Sequence, residues 1–354
     1  MLKKILKILG IILGGLVSLV ILLFLVLTIF EYRPDDIEEL AINNNQSSVV
    51  EKGTEYRIVT WNVGYGALGD NADFFMDGGT HVYTSNKKRI KDNIDCIQSE
   101  LNSLNADFIF LQEVDVASSR SHMVDEVEYF ADALPNYGYT YALNYRCLFV
   151  PIPFPPMAKV KSGIMSFSKF EISEANRQAL PCPFSWPVSL ANLKRGLSIQ
   201  VFDIKDTNKK LYMINFHLEA YDDGEGKIAQ TKVLVDLLES IYANGDYAIA
   251  GGDFNQTLST ISEDKYPITE EGGWAPGIID VSGFTNFTAV MDDATPTCRS
   301  LKVPYVDANK ATFQYYLIDG FLVSNNIDII SYNTIGLDFV WSDHNPVKMN
   351  FKVN

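Results

Sequence analysis

The side chains with the most chemical potential stand where apolar runs end. In Gly251-Gly252-Asp253-Phe254-Asn255 an apolar stretch delivers an aspartate and an asparagine two positions apart. Residues i and i+2 of an extended chain project to the same side, so Asp253 and Asn255 can face one pocket. The glycines admit a close approach of backbone or ligand. A carboxylate that orients or deprotonates water, beside an amide that holds an oxygen without adding negative charge, suits work on a phosphate. Read alone, the same residues make a solvated turn. Other positions supply matching parts. Asn62, Glu113 and Asp343 are oxygen donors suited to a hard cation such as Mg²⁺. His217 and His344 can exchange protons or, as imidazolium, stabilise an oxyanion. Asp319, set inside an apolar run, can hold a histidine in one tautomer. A histidine in an apolar strand is ordinarily a satisfied core residue, and an asparagine at a strand end ordinarily a turn residue. The weight lies in their concurrence.

These groups need elements to carry them. β-Branched and aromatic runs predict strands over residues 56–63, 107–111, 139–145, 163–168, 197–204, 211–218, 247–251, 315–324, 327–338 and 347–353. Ile90, Ile94, Ile97, Leu101 and Leu104 recur at alternating spacings of four and three, which predicts a helix over residues 86–106. Further helices are expected over 122–134 and 225–243. Asn62, Glu113 and Asp253 then sit at strand ends, the edge where ligands collect in open α/β sheets. Strands alternating with a few helices indicate two packed sheets with helices outside.

The first thirty residues stand apart. Residues 1–7 form a basic stub with Lys3, Lys4 and Lys7, and residues 8–30 are 23 positions without a charge. That exceeds the roughly 20 residues that cross a bilayer as a helix, and no small-x-small cleavage site follows it. Lysines before the span and mainly acidic residues after it (Glu31, Asp35, Asp36, Glu38, Glu39) place the N-terminus in the cytoplasm and the rest outside, in the cell membrane. The competing reading is a cleaved signal peptide. Residues 31–55, polar and unpatterned over 41–54, are expected to be a tether to a catalytic domain over 56–354. Beyond the three lysines the chain carries 26 basic against 44 acidic side chains, a net charge of −18. Tight, non-specific nucleic-acid binding is not expected of so acidic a surface. The prolines of residues 151–156 exclude that loop from a sheet interior, leaving it packed on the domain or dipping into lipid. Cys96, Cys147, Cys182 and Cys298 show no CxxC spacing, which argues against a zinc site. Cys96 falls in a predicted helix, and Cys147–Cys182 is the first candidate among the possible disulfide pairings.

Six short words occur in order across residues 56–354: Thr60-Trp61-Asn62-Val63, Leu111-Gln112-Glu113-Val114, Asn215-Phe216-His217-Leu218, Gly251-Gly252-Asp253-Phe254-Asn255, Leu317-Ile318-Asp319-Gly320 and Ser342-Asp343-His344-Asn345-Pro346. Together they resemble the endonuclease/exonuclease/phosphatase superfamily, whose fold is shared by DNase-I-like nucleases, inositol-polyphosphate 5-phosphatases and neutral sphingomyelinases. The resemblance implies a four-layer α/β sandwich of two packed, mostly antiparallel β-sheets flanked by helices. It implies that Glu113 binds Mg²⁺ or Mn²⁺ with Asn62 and Asp343 near it, and that Asp253 positions the attacking water. By the same pattern Asn255 binds phosphate, His217 and His344 contact phosphoryl oxygens, and Asp319 pairs with His344. Arg195, in Arg195-Gly196, falls more loosely where relatives carry a phosphate contact. The activity so implied is metal-dependent hydrolysis of a phosphodiester or phosphomonoester, and the chain is expected to be a monomer. The span and the 151–156 loop favour a lipid or small phosphodiester, in the manner of a sphingomyelinase, over an extracytoplasmic nuclease. A catalytically silent binding or adhesion module on the same fold is the alternative of another class.

Overall fold

Two stretches of the chain follow one plan, an apolar strand, an amphipathic helix and a second apolar strand, and each becomes the centre of a sheet. The computed structural model describes residues 2–270 and 273–354. Met1 of the basic stub, Glu271 and Gly272 lie outside the described residues. The helices are α1 (Leu2–Ile29), α2 (Lys87–Leu104), α3 (Glu126–Ala133) and α4 (Glu225–Ala243). The strands begin with β1 (Ile37–Glu39), β2 (Glu55–Asn62), β3 (Phe108–Asp115), β4 (Gly138–Val150), β5 (Ala158–Ser168), β6 (Glu174–Ala179), β7 (Gly196–Asp203), β8 (Lys210–His217) and β9 (Tyr247–Asp253). They continue with β10 (Gln256–Leu258), β11 (Gly277–Ile279), β12 (Phe287–Val290), β13 (Cys298–Arg299), β14 (Tyr315–Tyr316), β15 (Asp319–Ser324), β16 (Ile327–Thr334) and β17 (Val347–Val353).

The unit β2-α2-β3 centres a six-stranded sheet of order β16-β17-β2-β3-β5-β4, and β8-α4-β9 centres a seven-stranded sheet of order β1-β6-β7-β8-β9-β15-β12. Both central pairs are parallel, and their flanking strands run antiparallel to them. Alternation along each strand sorts the core. Ile58, Phe108 and Phe110 of one sheet meet Met213, Ile249 and Phe321 of the other between the layers. The opposite faces pack outward, Val59, Trp61 and Ile109 with Ile90, Ile94, Ile97 and Leu101 of α2. On the far side Ile214, Phe216 and Ala248 pack with Leu234, Leu238 and Ile241 of α4. The result is the four-layer α/β sandwich. Asn86 caps α2 by accepting from Arg89 N at 2.9 Å, and Asn105 ends it in a left-handed conformation at φ 45°.

Several local expectations give way. The run 315–324 breaks at Leu317-Ile318, so Asp319 opens β15 rather than interrupting it. The helix expected over 122–134 starts only at Glu126, because Asp125 caps it and accepts from Glu128 N at 3.2 Å. The strand expected over 327–338 ends at Thr334, whose N–H is taken by Asp292 at 2.8 Å. Residues 31–55 are laid against the domain rather than strung away from it. Within them β1 pairs with β6, Asn43 bridges Tyr139, and Val50 bridges Ile204. Side-chain type did not reveal this, because the pairing is made by backbone. All four cysteines are free, so Cys147–Cys182 is not formed. Cys147 is buried in the outer core and Cys182 lies beside Lys194 instead.

At 28 residues α1 is about 42 Å long at the rise of an α-helix. It is long and apolar enough to cross a membrane, and only its last turns touch the domain.

Candidate active site

The carboxyl ends of the two central parallel pairs meet at one edge of the sandwich. Asn62 ends β2, His217 ends β8 and Asp253 ends β9. His217 stands opposite Asp253 in register, and so does Asp319 at the start of antiparallel β15. The glycines of the central word are needed here. A Cβ on Gly252, at φ 156°, would lie 2.0 Å from Phe216 O, and one on Gly251 would lie 2.5 Å from the Phe321 ring. Glu113 is aimed by a different device. The β3–β5 register slips by one residue between Leu111 and Val114, and Glu113 sits in that bulge at φ 58°. A non-glycine residue in the left-handed region is held there by its surroundings, and bulges re-aim side chains at active sites. Beneath it, Gln112 turns between the sheets and donates to Asn215 at 2.8 Å.

Asp253 is the hub. Its Oδ1 accepts from Asn255 N at 2.8 Å, and its Oδ2 accepts from Asn62 Nδ2 at 3.0 Å. The same Oδ2 lies 3.5 Å from His217 Nε2 and 3.7 Å from His344 Nε2. The histidines are held in opposite charge states. Burial, with the positive charge of Arg195 beside it, pushes His217 well below its ordinary value, so the ring is neutral. Burial opposes charge on His344 too, yet the Asp319 carboxylate, 2.9 Å from Nδ1, acts together with Cys298 and Asp343 to outweigh it, and the ring is lifted well above its ordinary value. Asp253 itself is pushed up to about 7, first by burial and then by the charge of Asp319.

These groups open on a cavity of about 330 Å³ whose wall includes Glu113, His217, Asp253, Asn255, Asp343 and His344. Asn62 and Asp319 are buried behind it. Burial and the neighbouring Glu113 charge push Asp343 up to about 6. Asp77, which the sequence did not single out, also lines the cavity and hydrogen-bonds Tyr221 OH at 3.2 Å. Burial and the Asp343 charge push it up to about 7. Arg120 was missed as well. It is fixed by two bonds to Asp115, at 3.0 and 2.9 Å, with its guanidinium over the Tyr65 ring at 3.7 Å. Asp77 ends a single 3-10 turn, Phe75–Asp77, and Arg120 lies in a turn between elements, where no periodicity marks a position.

A wall of carboxylates that repel one another suits a hard divalent cation, and Glu113 and Asp343 both belong to it. The described residues also hold two tighter groups, Asp253-Asp319-His344 and Cys298-Asp343-His344, with candidate ligand atoms within 4.8 Å of one another. Burial pushes the Cys298 thiol up to about 12, which keeps it protonated and a poor ligand for such a cation.

Asn62 and Arg195 both have protein partners at the site. Asn62 does not turn its oxygen to the carboxylates. Its Oδ1 accepts from Gly64 N at 3.1 Å, while Nδ2 bridges Glu113 at 3.1 Å and Asp253 at 3.0 Å, because two carboxylates need a donor between them. Arg195 lies at the cavity with two of its N–H groups on protein acceptors, Nε on Glu219 Oε2 at 3.2 Å and Nη1 on the His217 carbonyl at 3.0 Å. Asn255 likewise gives one amide hydrogen to Leu218 O at 2.8 Å and has a second to offer.

The family model described as the Endonuclease/Exonuclease/phosphatase family matches residues 59–264. Among solved structures, the chain is similar to the endonuclease/exonuclease/phosphatase from Beutenbergia cavernae DSM 12333. The identity is 13% and the TM-score 0.54, over 85% of this chain and 72% of that one. It is similar to the endonuclease/exonuclease/phosphatase from Bacteroides vulgatus at 16% identity and a TM-score of 0.53, over 85% and 100% of the two chains. The human Nocturnin catalytic domain with bound sulfate anion gives 15% identity and a TM-score of 0.53, over 90% and 97%. At these identities the likeness is one of fold. A comparison with curated proteins found no match.

Proposed function

The chain belongs to the endonuclease/exonuclease/phosphatase family of phosphoester hydrolases, and from that premise we propose that it is a membrane-anchored, Mg²⁺- or Mn²⁺-dependent phosphodiesterase acting on a lipid or small phosphodiester. The observation that carries the reading is the placement of Asp253 Oδ2 between a neutral and a charged histidine, beside the Glu113 and Asp343 wall. Glu113 and Asp343 would hold the cation, which when bound neutralises charge on the phosphoryl oxygens. Asn62 would steady Glu113 against Asp253.

Asp253 accepts a proton from the attacking water, a role its raised pKa suits near neutral pH. The new P–O bond forms in line as the P–O bond to the leaving alcohol breaks, and that alkoxide takes up the proton removed from water. His344, kept charged by Asp319, donates to a phosphoryl oxygen through Nε2. His217 donates as neutral imidazole, and Asn255 offers its second amide hydrogen. Arg195 orients His217 through its backbone carbonyl. The net charge of −18 beyond the span weighs against a nuclease, which needs a basic face for the strand.

The test is hydrolysis of bis-p-nitrophenyl phosphate by the full chain in detergent, with Mg²⁺, Mn²⁺ or EDTA, beside Asp253→Ala. Cation-dependent turnover that the variant loses supports the reading. Equal inertness of both proteins over a broad pH range would leave the silent-module reading in its place.

A further inference from the structure

The cavity that holds the catalytic groups is also lined by Phe24 and Leu27, in the last two turns of α1. That end of the helix is fastened to the domain. Leu27 is buried, the Phe24 ring lies 6.0 Å from Trp186, and Trp186 Nε1 donates to Thr28 at 3.2 Å. Just beyond the helix, Glu31 pairs with Lys194 at 3.1 Å and Tyr32 OH donates to Leu143 O at 3.2 Å. Polar fastenings therefore begin where the apolar helix ends, and the domain is seated at the level where α1 would leave a bilayer.

The loops around that end of the cavity are apolar and bare. Ile152 and Val188 line the cavity and are 61% and 54% exposed. Phe154 and Trp186 are 96% and 60% exposed. Contiguous exposed apolar side chains mark a surface that water does not normally cover, and tryptophan favours the membrane–water interface. The loops belong to separate segments, the β4–β5 connection and residues 184–190, yet they converge on the helix that is long enough to span. The volume of about 330 Å³ is at the low end for a small-molecule site, room for a head group and the first part of a chain.

We propose that this cavity takes a lipid phosphoester directly from the bilayer in which α1 stands. The scissile phosphate lies at Asp253 and the acyl or sphingoid chains run along the apolar wall past Leu27 and Phe24, their ends remaining in the membrane. The inference rests on the phosphoester hydrolase reading and adds the source and orientation of the substrate.

The test uses the full chain in vesicles of phosphatidylcholine, phosphatidylethanolamine, phosphatidylglycerol and sphingomyelin with the divalent cation. Release of lipid head group is compared with hydrolysis of soluble bis-p-nitrophenyl phosphate. Wild type is expected to cleave both, and Ile152→Glu with Val188→Glu to lower the ratio of lipid to soluble cleavage at least tenfold. Soluble cleavage without lipid cleavage, or an unchanged ratio in the variant, would overturn the inference and leave the hydrolase reading standing. Failure of wild type on both would remove the hydrolase reading and this inference with it. Should the variant lose both activities, a second measurement decides. Brominated acyl chains are expected to quench a share of wild-type tryptophan fluorescence that is missing in Trp186→Phe, and no such share would overturn the seating.

Discussion

Arg195 and Glu219 form an ion pair, Nε to Oε2 at 3.2 Å, in which neither side chain is more than 3% exposed. The pair is a strut under the site. Arg195 also donates to the His217 carbonyl at 3.0 Å, and the other Glu219 oxygen accepts from Ala220 N and Tyr221 N, both at 3.0 Å. Removing one partner strands the other charge in the interior, which costs about 3–5 kcal/mol. Glu219→Ala is therefore expected to lose stability on that scale in urea denaturation. Arg195→Met combined with Glu219→Leu is expected to lose less than the two single changes added together.

Asp253→Asn separates catalysis from stability. Turnover of bis-p-nitrophenyl phosphate is expected to fall by roughly 10²–10⁴, the usual share of a general base. Stability should move the other way as pH rises. A carboxyl whose folded pKa is raised from 3.8 to about 7 favours folding fully only below its unfolded value. That contribution is lost as pH climbs through the folded pKa, because the native state must then hold a buried charge. In EDTA, the Tm of Asp253→Asn relative to wild type should rise between pH 5 and pH 8.

The cavity carboxylates give a cation its own pH signature. Asp343 is raised to about 6 and Asp77 to about 7, so each adds to the loss of stability of the cation-free protein across the same window. A divalent cation binds ionised carboxylates and stabilises the state that holds it. The Tm increase produced by Mg²⁺ or Mn²⁺ is expected to be small at pH 5 and to grow by pH 8. Glu113→Gln should lose most of it. A cation shift independent of pH, or intact in the variant, would place the ion elsewhere.

The sequence revealed the strands and the residues at their ends because both follow from local pattern. Trp61 and Ile109 fall on one face and Ile58 and Phe108 on the other by simple alternation, and their place as the last residues of their strands brings Asn62, His217 and Asp253 to one edge. What it could not show was made by geometry without periodicity. Glu113 reaches the cavity through a bulge at φ 58°, and its run of residues reads as an ordinary strand. Asp77 and Arg120 arrive on short turns between the main elements. Arg195 reads as a free cation until Glu219, 24 positions away, is brought beside it. Backbone pairing of residues 37–39 with β6 leaves no trace in side-chain type. The apolar end of the cavity joins residues 24 and 188, far apart in sequence, so only the fold could bring them together.

Asp319 raises both Asp253 and His344, which makes its removal the most informative single change. Its carboxylate lies 2.9 Å from His344 Nδ1 and stands opposite Asp253 in the β9–β15 register. Its negative charge raises His344 by stabilising the imidazolium, and raises Asp253 by opposing a second carboxylate. Its own Oδ1 has no hydrogen-bond partner among the described residues, so the charge is spent on these two neighbours. Activity that needs Asp253 ionised and His344 protonated follows a bell, with the acid limb set by the first and the alkaline limb by the second. Asp319→Asn keeps the shape of the side chain and removes the charge, and turnover is expected to drop by roughly 10²–10⁴ as the histidine loses its counter-charge. What remains should show both limbs displaced to lower pH, since both groups lose the same raising influence. Full pH profiles of kcat for wild type and Asp319→Asn, taken at saturating cation, measure this directly. A bell that stays in place while its height falls would assign Asp319 a purely structural part.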